Sequence, residues 1–244
     1  MFIVRKKIKN SFLVLIGLIL VLFARADSGQ LYTSDRLPSS LINCIVQDQK
    51  GFIWIGTDYG LSRFDGYRFV NYLHSDKDTT TITDNTISAF LVDRTDRLWI
   101  GSAKGLMSYD YGFNHFVRYP FPDRRHPRIY SLIEDHKGNV LIGTAGFGLY
   151  AVPKGEARII NEMGTARRDS DIFFTHIFED NRGTLWQASH LSRINRYTKD
   201  GSLLMAQHLK SLYGAPVAFF QFHRNQLFIV CMYGIEIYDY QTGR

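Results

Sequence analysis

One residue pattern recurs through most of this chain of 244 residues at an almost constant interval. With Trp54 as the origin, the equivalent bulky positions are separated by 45, 42, 45 and 42 residues and fall at Trp99, Leu141, Trp186 and Phe228. Internal repeats of this length are typical of folds built from one repeated supersecondary unit. The period therefore constrains the fold more than any single motif does.

Each repeat carries turn-forming residues at fixed distances from the bulky position. The residue three positions before it is always of a type that tolerates the left-handed backbone conformation of a tight turn. These residues are Gly51, Asp96, Gly138, Gly183 and Asn225. Six residues before it stand Asp48, Asp93, Asp135 and Asp180, until Phe222 breaks the pattern. We predict that these aspartates accept backbone N–H groups within the turns. Two residues after the bulky position stand Gly56, Gly101 and Gly143, and Ala188 and Val230 replace this glycine in the last two repeats. A second glycine follows a few residues later, at Gly60, Gly105, Gly148 and Gly234.

The apolar runs between these turn residues predict strands. Four runs per repeat predict blades at residues 41–72, 87–119, 129–160 and 173–206, and three runs predict a further blade at 217–244. Four short strands per repeat of this length indicate an all-β fold, a β-propeller of four-stranded antiparallel blades. Seven blades would need about 300 residues at this period, so we expect about five blades, an incomplete part of a larger propeller.

The second strand of each repeat is apolar on both faces, so neighbouring blades must cover it. We therefore interpret Trp54, Trp99 and Trp186 as core residues between blades. The alternative is a stacking platform for sugar rings.

The first 26 residues are typical of a signal peptide. Four basic residues precede the apolar run Phe12 to Phe23, which is too short to span a bilayer comfortably, and Ala24, Arg25 and Ala26 form a small-x-small cleavage site. The alternative is an uncleaved membrane anchor. The net charge of +6 includes five basic residues of this segment, so the remaining 24 basic and 23 acidic residues give +1. Export to the periplasm is the expected location, and nucleic-acid binding loses its main support.

Cys44 and Cys231 are the two cysteines, at opposite ends of the repeats. An exported chain can form a disulfide, but both residues fall in or beside predicted strands, where a buried thiol is commoner. We predict two free cysteines.

Three stretches resemble the two-component regulator propeller repeat: IVQDQKGFIWIGTDYGLSRFDGYRFVNY, LVDRTDRLWIGSAKGLMSYD and LIEDHKGNVLIGTAGFGLY. The resemblance covers roughly residues 30–244 and weakens in repeats four and five, where IYDYQTGR resembles quinoprotein-type propellers. It implies the periplasmic sensor region of a hybrid two-component histidine kinase, responding to oligosaccharide. It also implies that the full-length protein continues with further propeller blades, a sandwich domain, an inner-membrane span and kinase modules, and that it forms a homodimer.

Propellers bind ligands at one mouth of the ring, with loops between second and third strands and loops between blades. By strand counting, the second-to-third loops contain Asp58, Tyr59, Lys104, Phe147, His190 and Tyr233. The blade-to-blade segments 79–85 and 120–128 should lie at the same mouth. Aromatic and amide groups there can stack on and hydrogen-bond to a glycan. The alternative is that these residues are ordinary surface loops.

No motif for nucleophilic attack and no metal-ligand spacing occurs, so we predict no catalytic residue, no metal and no cofactor in this chain. The leading hypothesis is a sensory module that binds ligand and transmits the binding to a kinase. The rival is an exported propeller enzyme, such as a polysaccharide lyase or a quinoprotein-like dehydrogenase, because a fold does not fix a function.

Overall fold

A computed structural model describes residues 36–122, 124–161, 175–189, 193–198, 203–208, 214–223 and 225–242. Contacts divide the chain into Met1–Thr33 and Ser34–Arg244, and the described residues belong to the second unit. The expected signal peptide lies outside the described residues. Within the described part, no helix is long and apolar enough to span a membrane.

Strands make up the regular structure of the described residues, in five antiparallel sheets. Sheet one contains β1 (Ile42–Gln47), β2 (Ile53–Thr57), β3 (Gly60–Phe64) and β4 (Phe69–Tyr72). Sheet two contains β5 (Ile87–Val92), β6 (Leu98–Ser102), β7 (Gly105–Asp110) and β8 (His115–Tyr119). Sheet three contains β9 (Ile129–Glu134), β10 (Val140–Thr144), β11 (Leu149–Val152) and β12 (Ile160–Asn161). Sheet four contains β13 (His176–Glu179), β14 (Leu185–Ala188), β15 (Arg193–Tyr197) and β16 (Leu203–His208). Sheet five contains β17 (Pro216–His223), β18 (Gln226–Cys231) and β19 (Gly234–Asp239).

Each sheet is a meander whose first strand packs against the first strand of the next sheet. These contacts join β1 to β5, β5 to β9, β9 to β13 and β13 to β17. The five sheets are thus successive propeller blades with their first strands innermost, and the predicted β-propeller is confirmed. The predicted four strands occur in each of the first four sheets, and the predicted three strands occur in the fifth.

The tryptophans fill the space between blades, as predicted. Trp54 and Trp186 are fully buried, and Trp99 nearly so. Trp54 packs against Tyr109 of the second blade with ring centroids 4.7 Å apart, and Trp186 packs against Tyr238 of the fifth blade at 5.0 Å.

The repeated aspartates accept turn amides, and they also bind the buried indoles. Oδ1 of Asp48 accepts the amide of Phe52 at 2.9 Å, while its Oδ2 accepts Nε1 of Trp54 at 2.7 Å. Asp93 and Asp180 bind Trp99 and Trp186 at 2.7 and 2.8 Å. In the third repeat, where Leu141 replaces the tryptophan, Asn139 supplies the donor to Asp135 at 2.8 Å. In the three repeats that have a tryptophan, the buried carboxylate therefore joins a turn to the core.

Glycines two residues after the bulky position lie within strands and allow close packing of the next blade. A Cβ added to Gly56 would lie 2.6 Å from Cγ2 of Ile87, and one added to Gly101 would lie 2.6 Å from Cγ2 of Ile129. In the next position along the strand, Thr57, Ser102 and Thr144 are fully buried, and their hydroxyls donate to the carbonyls of Gly60, Gly105 and Gly148. These hydroxyls close the turns between second and third strands.

A second repeated contact links the first turn of each blade to the next blade. In each of the first four blades, the backbone amide of the residue that directly follows the repeated aspartate donates to a side-chain oxygen of the next blade. The four pairs are Gln49 with Asp96, Arg94 with Glu134, His136 with Glu179, and Asn181 with Gln221. The blades are therefore joined by apolar packing and by directional bonds.

The outer faces of the first and fifth sheets remain exposed. Ile45 of β1 is 59% exposed, and Ile237 of β19 is 48% exposed. Among the described residues, β1 and β17 do not pack against each other to the extent that neighbouring first strands do. The five blades therefore form an open arc. Both cysteines are free, as predicted, with Cys44 partly buried and Cys231 buried.

Candidate functional site

The turns between second and third strands and the blade-to-blade segments lie at one end of the sheets, here called the loop end. The amide of Ala103 donates to the carbonyl of Thr86, and the amide of Ala145 donates to that of Arg128, both at 2.9 Å. The Thr86 hydroxyl donates to the carbonyl of Asp58 at 3.3 Å. Segments 79–85 and 120–128 thus adjoin the loops that contain the predicted ligand residues.

The predicted site residues differ in their surroundings. Tyr59 and Tyr233 are 59% and 76% exposed, in the first and fifth blades respectively, and Asp58 is also exposed. Phe147 packs against the buried cluster between the second and third blades, with the guanidinium of Arg125 5.0 Å above its ring. His190 lies outside the described residues.

Lys104, the remaining predicted residue, lines a cleft of about 260 Å³ in the second blade. Leu106, Tyr119 and Phe121, all buried, form its apolar floor. The polar lining comes from Thr83, Lys104, Arg118 and His126. The sequence predicts Lys104 and the two segments that contain Thr83 and His126, but it gives no signal for Arg118, which lies within strand β8.

Arg118 fixes the blade-to-blade segment against the second blade. Its Nη2 donates to the carbonyls of Asp78, Thr81 and Ile82 at 3.1 to 3.2 Å, and its Nε donates to Thr81 at 3.3 Å. Thr83 is held by a 2.8 Å hydrogen bond between its Oγ1 and Oγ of Ser102. The cleft wall is therefore preformed.

The ammonium group of Lys104 belongs to an exposed side chain at this cleft. Its Nζ lies 3.2 Å from Oδ2 of Asp84, and its side chain is 63% exposed. Only the lysine of this pair is exposed, because the Asp84 side chain is 17% exposed. The Lys104 side chain can therefore still reach an anion in the cleft.

Two other clefts lie at the opposite end of the sheets, here called the turn end because it carries the turns between first and second strands. The larger, of about 470 Å³, is lined by both acids and bases, including Arg94, Glu134, His136 and Glu179. The smaller, of about 290 Å³, contains Asp93, Arg97 and Glu156. Several of their polar groups already join neighbouring blades, as in the bonds between His136 and Glu179. We interpret the turn-end clefts as structural junctions.

The described residues contain no group of three or more His, Cys, Asp or Glu side chains placed to hold a metal ion. Burial raises the pKa of the Cys44 thiol to about 12, against a weaker opposing effect of the Gly56 amide, and burial also raises the pKa of Cys231. Nucleophilic cysteines need a lowered pKa. Both thiols are therefore suited to packing and unsuited to attack.

Comparisons with known proteins agree with the repeat pattern. Residues 36–59 and 81–104 match the family model described as two component regulator propeller. No curated protein sequence matches the chain significantly.

Solved structures share the fold. The extracellular domain of a putative hybrid two component system from B. thetaiotaomicron superposes with a TM-score of 0.76 at 18% identity, covering 88% of this chain and 31% of that chain. A second such domain from B. thetaiotaomicron gives a TM-score of 0.59 at 18% identity, with coverages of 88% and 38%. Virginiamycin B lyase from Staphylococcus aureus gives 0.66 at 15% identity, with coverages of 88% and 71%. The chain thus spans about a third of the extracellular domains it resembles.

Proposed function

Because the chain contains two-component regulator propeller repeats, we propose that it is an extracytoplasmic sensory module that recognises an oligosaccharide at its loop end. The single observation that carries this proposal is the match of residues 36–59 and 81–104, in the first two blades, to the regulator repeat, together with the signal-like segment of the sequence. The fold shared with extracellular domains of putative hybrid two component systems supports it.

The proposed mechanism is a shift in population between two arrangements of a larger assembly. A ligand moves such an equilibrium only if it binds one arrangement more tightly than the other. The blades are joined by buried aromatic packing and directional bonds, so each moves with its neighbours as one body. We therefore place the change at the joints with further propeller domains or with a second copy, and not within a blade.

Exposed aromatic side chains at the loop end are the expected contacts for sugar rings. Tyr59 and Tyr233 present most of their surface to solvent. Stacking of an aromatic ring on an apolar sugar face, with a few polar groups to fix orientation, is how preformed ligand sites achieve specificity. Asp58 lies beside Tyr59 and offers carboxylate acceptors for sugar hydroxyls.

Calorimetry on the complete ectodomain with a panel of oligosaccharides tests this proposal. We expect micromolar binding of at least one glycan, weakened tenfold or more by Tyr59→Ala or Tyr233→Ala. Tyr67→Ala is the matched control, because Tyr67 is 88% exposed but lies at the turn end between β3 and β4. A folded ectodomain that binds none of the oligosaccharides in the panel would contradict direct sensing.

The alternative is an exported propeller enzyme, because virginiamycin B lyase is an enzyme with the same fold. At 15% identity that likeness concerns the fold alone. Incubation of the protein with virginiamycin B and with plant polysaccharides, followed by mass spectrometry of the products, distinguishes the two. Turnover that depends on a loop-end side chain would replace the sensory proposal.

A further inference from the structure

We propose that the cleft beside Lys104 is an anion subsite, which takes one negatively charged sugar residue of an acidic oligosaccharide. The ligand class is a glycan that bears carboxylate or sulfate groups. This inference rests on the proposed sensory function and names the ligand class for that function.

The charge of the lining supports an anionic ligand. Lys104, Arg118 and His126 contribute basic groups, and none of the described lining residues is acidic. Both turn-end clefts contain acidic and basic side chains, whereas the charged side chains that line the loop-end cleft are all basic. Asp84 borders the cleft and pairs with Lys104; its side chain is 17% exposed, but the Lys104 side chain is 63% exposed, so an incoming anion can reach the ammonium group.

The charge of Arg118 is held in place without a carboxylate partner. Its Nε and Nη2 are bound by neutral backbone carbonyls of residues 78–82, and its Nη1 makes no hydrogen bond with any described residue. The carboxylate of nearby Asp78 instead accepts hydrogen bonds from the amide and the hydroxyl of Thr80, at 2.9 and 2.6 Å. A guanidinium fixed in this way is a preorganised cation, which loses little conformational entropy when it binds an anion.

The shape of the cleft fits one sugar unit of a longer chain. Its volume of about 260 Å³ lies just below the ~300 to 1,000 Å³ of pockets for drug-sized ligands. The floor of Leu106, Tyr119 and Phe121 offers an apolar surface to a ring face, and the basic groups lie around it. The adjoining segment adds exposed Arg124 and Arg128, which raise the local positive potential and favour the approach of a polyanion.

The test compares oligosaccharides of equal length that differ in charge, using the complete ectodomain. The probes are trigalacturonate for carboxylate, a sulfated κ-carrageenan tetrasaccharide, which has no carboxylate, for sulfate, and neutral galacto-oligosaccharides of the same lengths. We expect one acidic probe to bind at least tenfold more tightly than its neutral counterpart, with affinity that falls as salt rises from 50 to 300 mM. The acidic probe that binds distinguishes a carboxylate site from a sulfate site. Equal binding of neutral and acidic probes would overturn the anion subsite and leave the sensory proposal intact, whereas binding of no oligosaccharide would overturn both.

Variants assign the effect to the cleft. The double substitution Lys104→Gln and His126→Gln should weaken acidic-probe binding at least tenfold and leave any neutral-probe binding unchanged. Both side chains are exposed, so an unchanged melting temperature is expected and checks the fold. Lys137→Gln is the charge-matched control, since Lys137 is exposed at the turn end. Unchanged acidic-probe affinity in the double variant would overturn the assignment.

Discussion

Tyr240 donates its hydroxyl to Oδ2 of Asp180 at 2.7 Å, across the junction between the fourth and fifth blades. The same relationship joins Tyr111 to Asp48 across the junction between the first and second blades. Each carboxylate thereby receives an indole N–H from its own blade and a phenol from the next. Burial, followed by the hydrogen bond to the carboxylate, raises the pKa of both tyrosines well above the usual range. The tyrosines therefore act as permanent donors at neutral pH.

An arginine completes both junctions. Arg63 lies over the Trp54 ring and donates to the Tyr109 hydroxyl at 2.8 Å, and Arg196 lies over Trp186 and donates to the Tyr238 hydroxyl at 3.1 Å. The sequence Tyr-Asp-Tyr supplies both tyrosines in each case, at residues 109–111 and 238–240. The third blade has no such sequence, and Trp99 packs against Tyr119 of its own blade, at 4.9 Å.

We predict that Tyr111→Phe and Tyr240→Phe each destabilise the protein by about 1.5 to 3 kcal/mol, because each removes a hydrogen bond to a charged group and keeps the ring. The two junctions share no residues, so the double variant should lose the sum of the two effects. Urea unfolding measures the free energies. Tyr67→Phe, at an exposed position, is the control and should change stability by less than about 0.5 kcal/mol. A double variant as stable as the parent would contradict the role assigned to these hydroxyls.

Much of this fold could be predicted from the sequence, because the repeat period, the turn residues and the apolar runs are local signals. The aspartates were predicted as turn residues, and that role is present. Their second bond, to the indole six residues later, depends on how the hairpin folds back, so sequence spacing alone does not reveal it. The contacts between blades, such as Arg94 with Glu134, join residues about 40 positions apart and have no local signature.

The candidate site could be predicted only in part, for the same reason. Strand counting places Lys104 and segments 79–85 and 120–128 at one end of the blades. It does not reveal that Arg118, within a strand, turns its guanidinium to the carbonyls of residues 78–82. The ligand role of all these residues stays a prediction.

The second prediction concerns the close approach of blades at Gly101. Gly101→Ala should destabilise the protein by about 1 to 3 kcal/mol, because the added Cβ would lie 2.6 Å from Cγ2 of Ile129 in a packed core. The φ angle of Gly101 is not positive, so the backbone accepts alanine and the effect isolates the steric contact. Gly112→Ala, at an exposed turn, is the control. Equal urea midpoints for the two variants would show that the blades can move apart without cost.

The third prediction concerns acid stability and Asp93. Burial alone would raise the pKa of this carboxyl, but hydrogen bonds from Thr95, Trp99 and the Arg97 amide outweigh it, and the pKa is lowered. A folded-state pKa below the unfolded value of about 3.9 gives stability that is present above that pH and is lost as the pH falls through the folded pKa.

Urea unfolding at several pH values between 2 and 6 measures this contribution. Asp93→Asn should show a smaller loss of unfolding free energy below pH 4 than the parent does. Asp58→Asn, at an exposed position where the carboxylate makes no hydrogen bond with a described residue, is the control. Identical slopes for the Asp93→Asn variant and the parent would mean that this carboxylate is not stabilised by folding.

The fourth prediction concerns the thiols. With a pKa of about 12, roughly one Cys44 in ten thousand is a thiolate at pH 8. We expect iodoacetamide to alkylate Cys44 in the native protein at least a hundredfold more slowly than in urea. Mass spectrometry without reduction should find two free thiols. A mass lower by two hydrogens would reveal a disulfide and would require the first and fifth blades to approach each other.

The last prediction concerns the open faces of the first and fifth blades. On the fifth, Phe228 occupies the position of the buried tryptophans, and its cross-strand neighbour Ile237 is 48% exposed. Ile45 of the first blade is also exposed. Apolar sheet faces of this kind promote association, so we expect a protein of residues 27–244 to self-associate on size exclusion. Because residues 27–35 lie outside the described part, their contribution to covering either face is part of the same test.

The double variant Ile45→Lys and Ile237→Lys should shift the protein toward monomer, because charges on an exposed sheet face oppose edge and face pairing. Gln49→Lys with Gln241→Lys adds the same charge at exposed polar positions and should leave association unchanged. If net charge alone governed association, the two variants would behave alike. A parent chain that elutes as a sharp monomer and melts cooperatively would show that these faces are covered within the chain, and the open arc would then not describe the protein in solution.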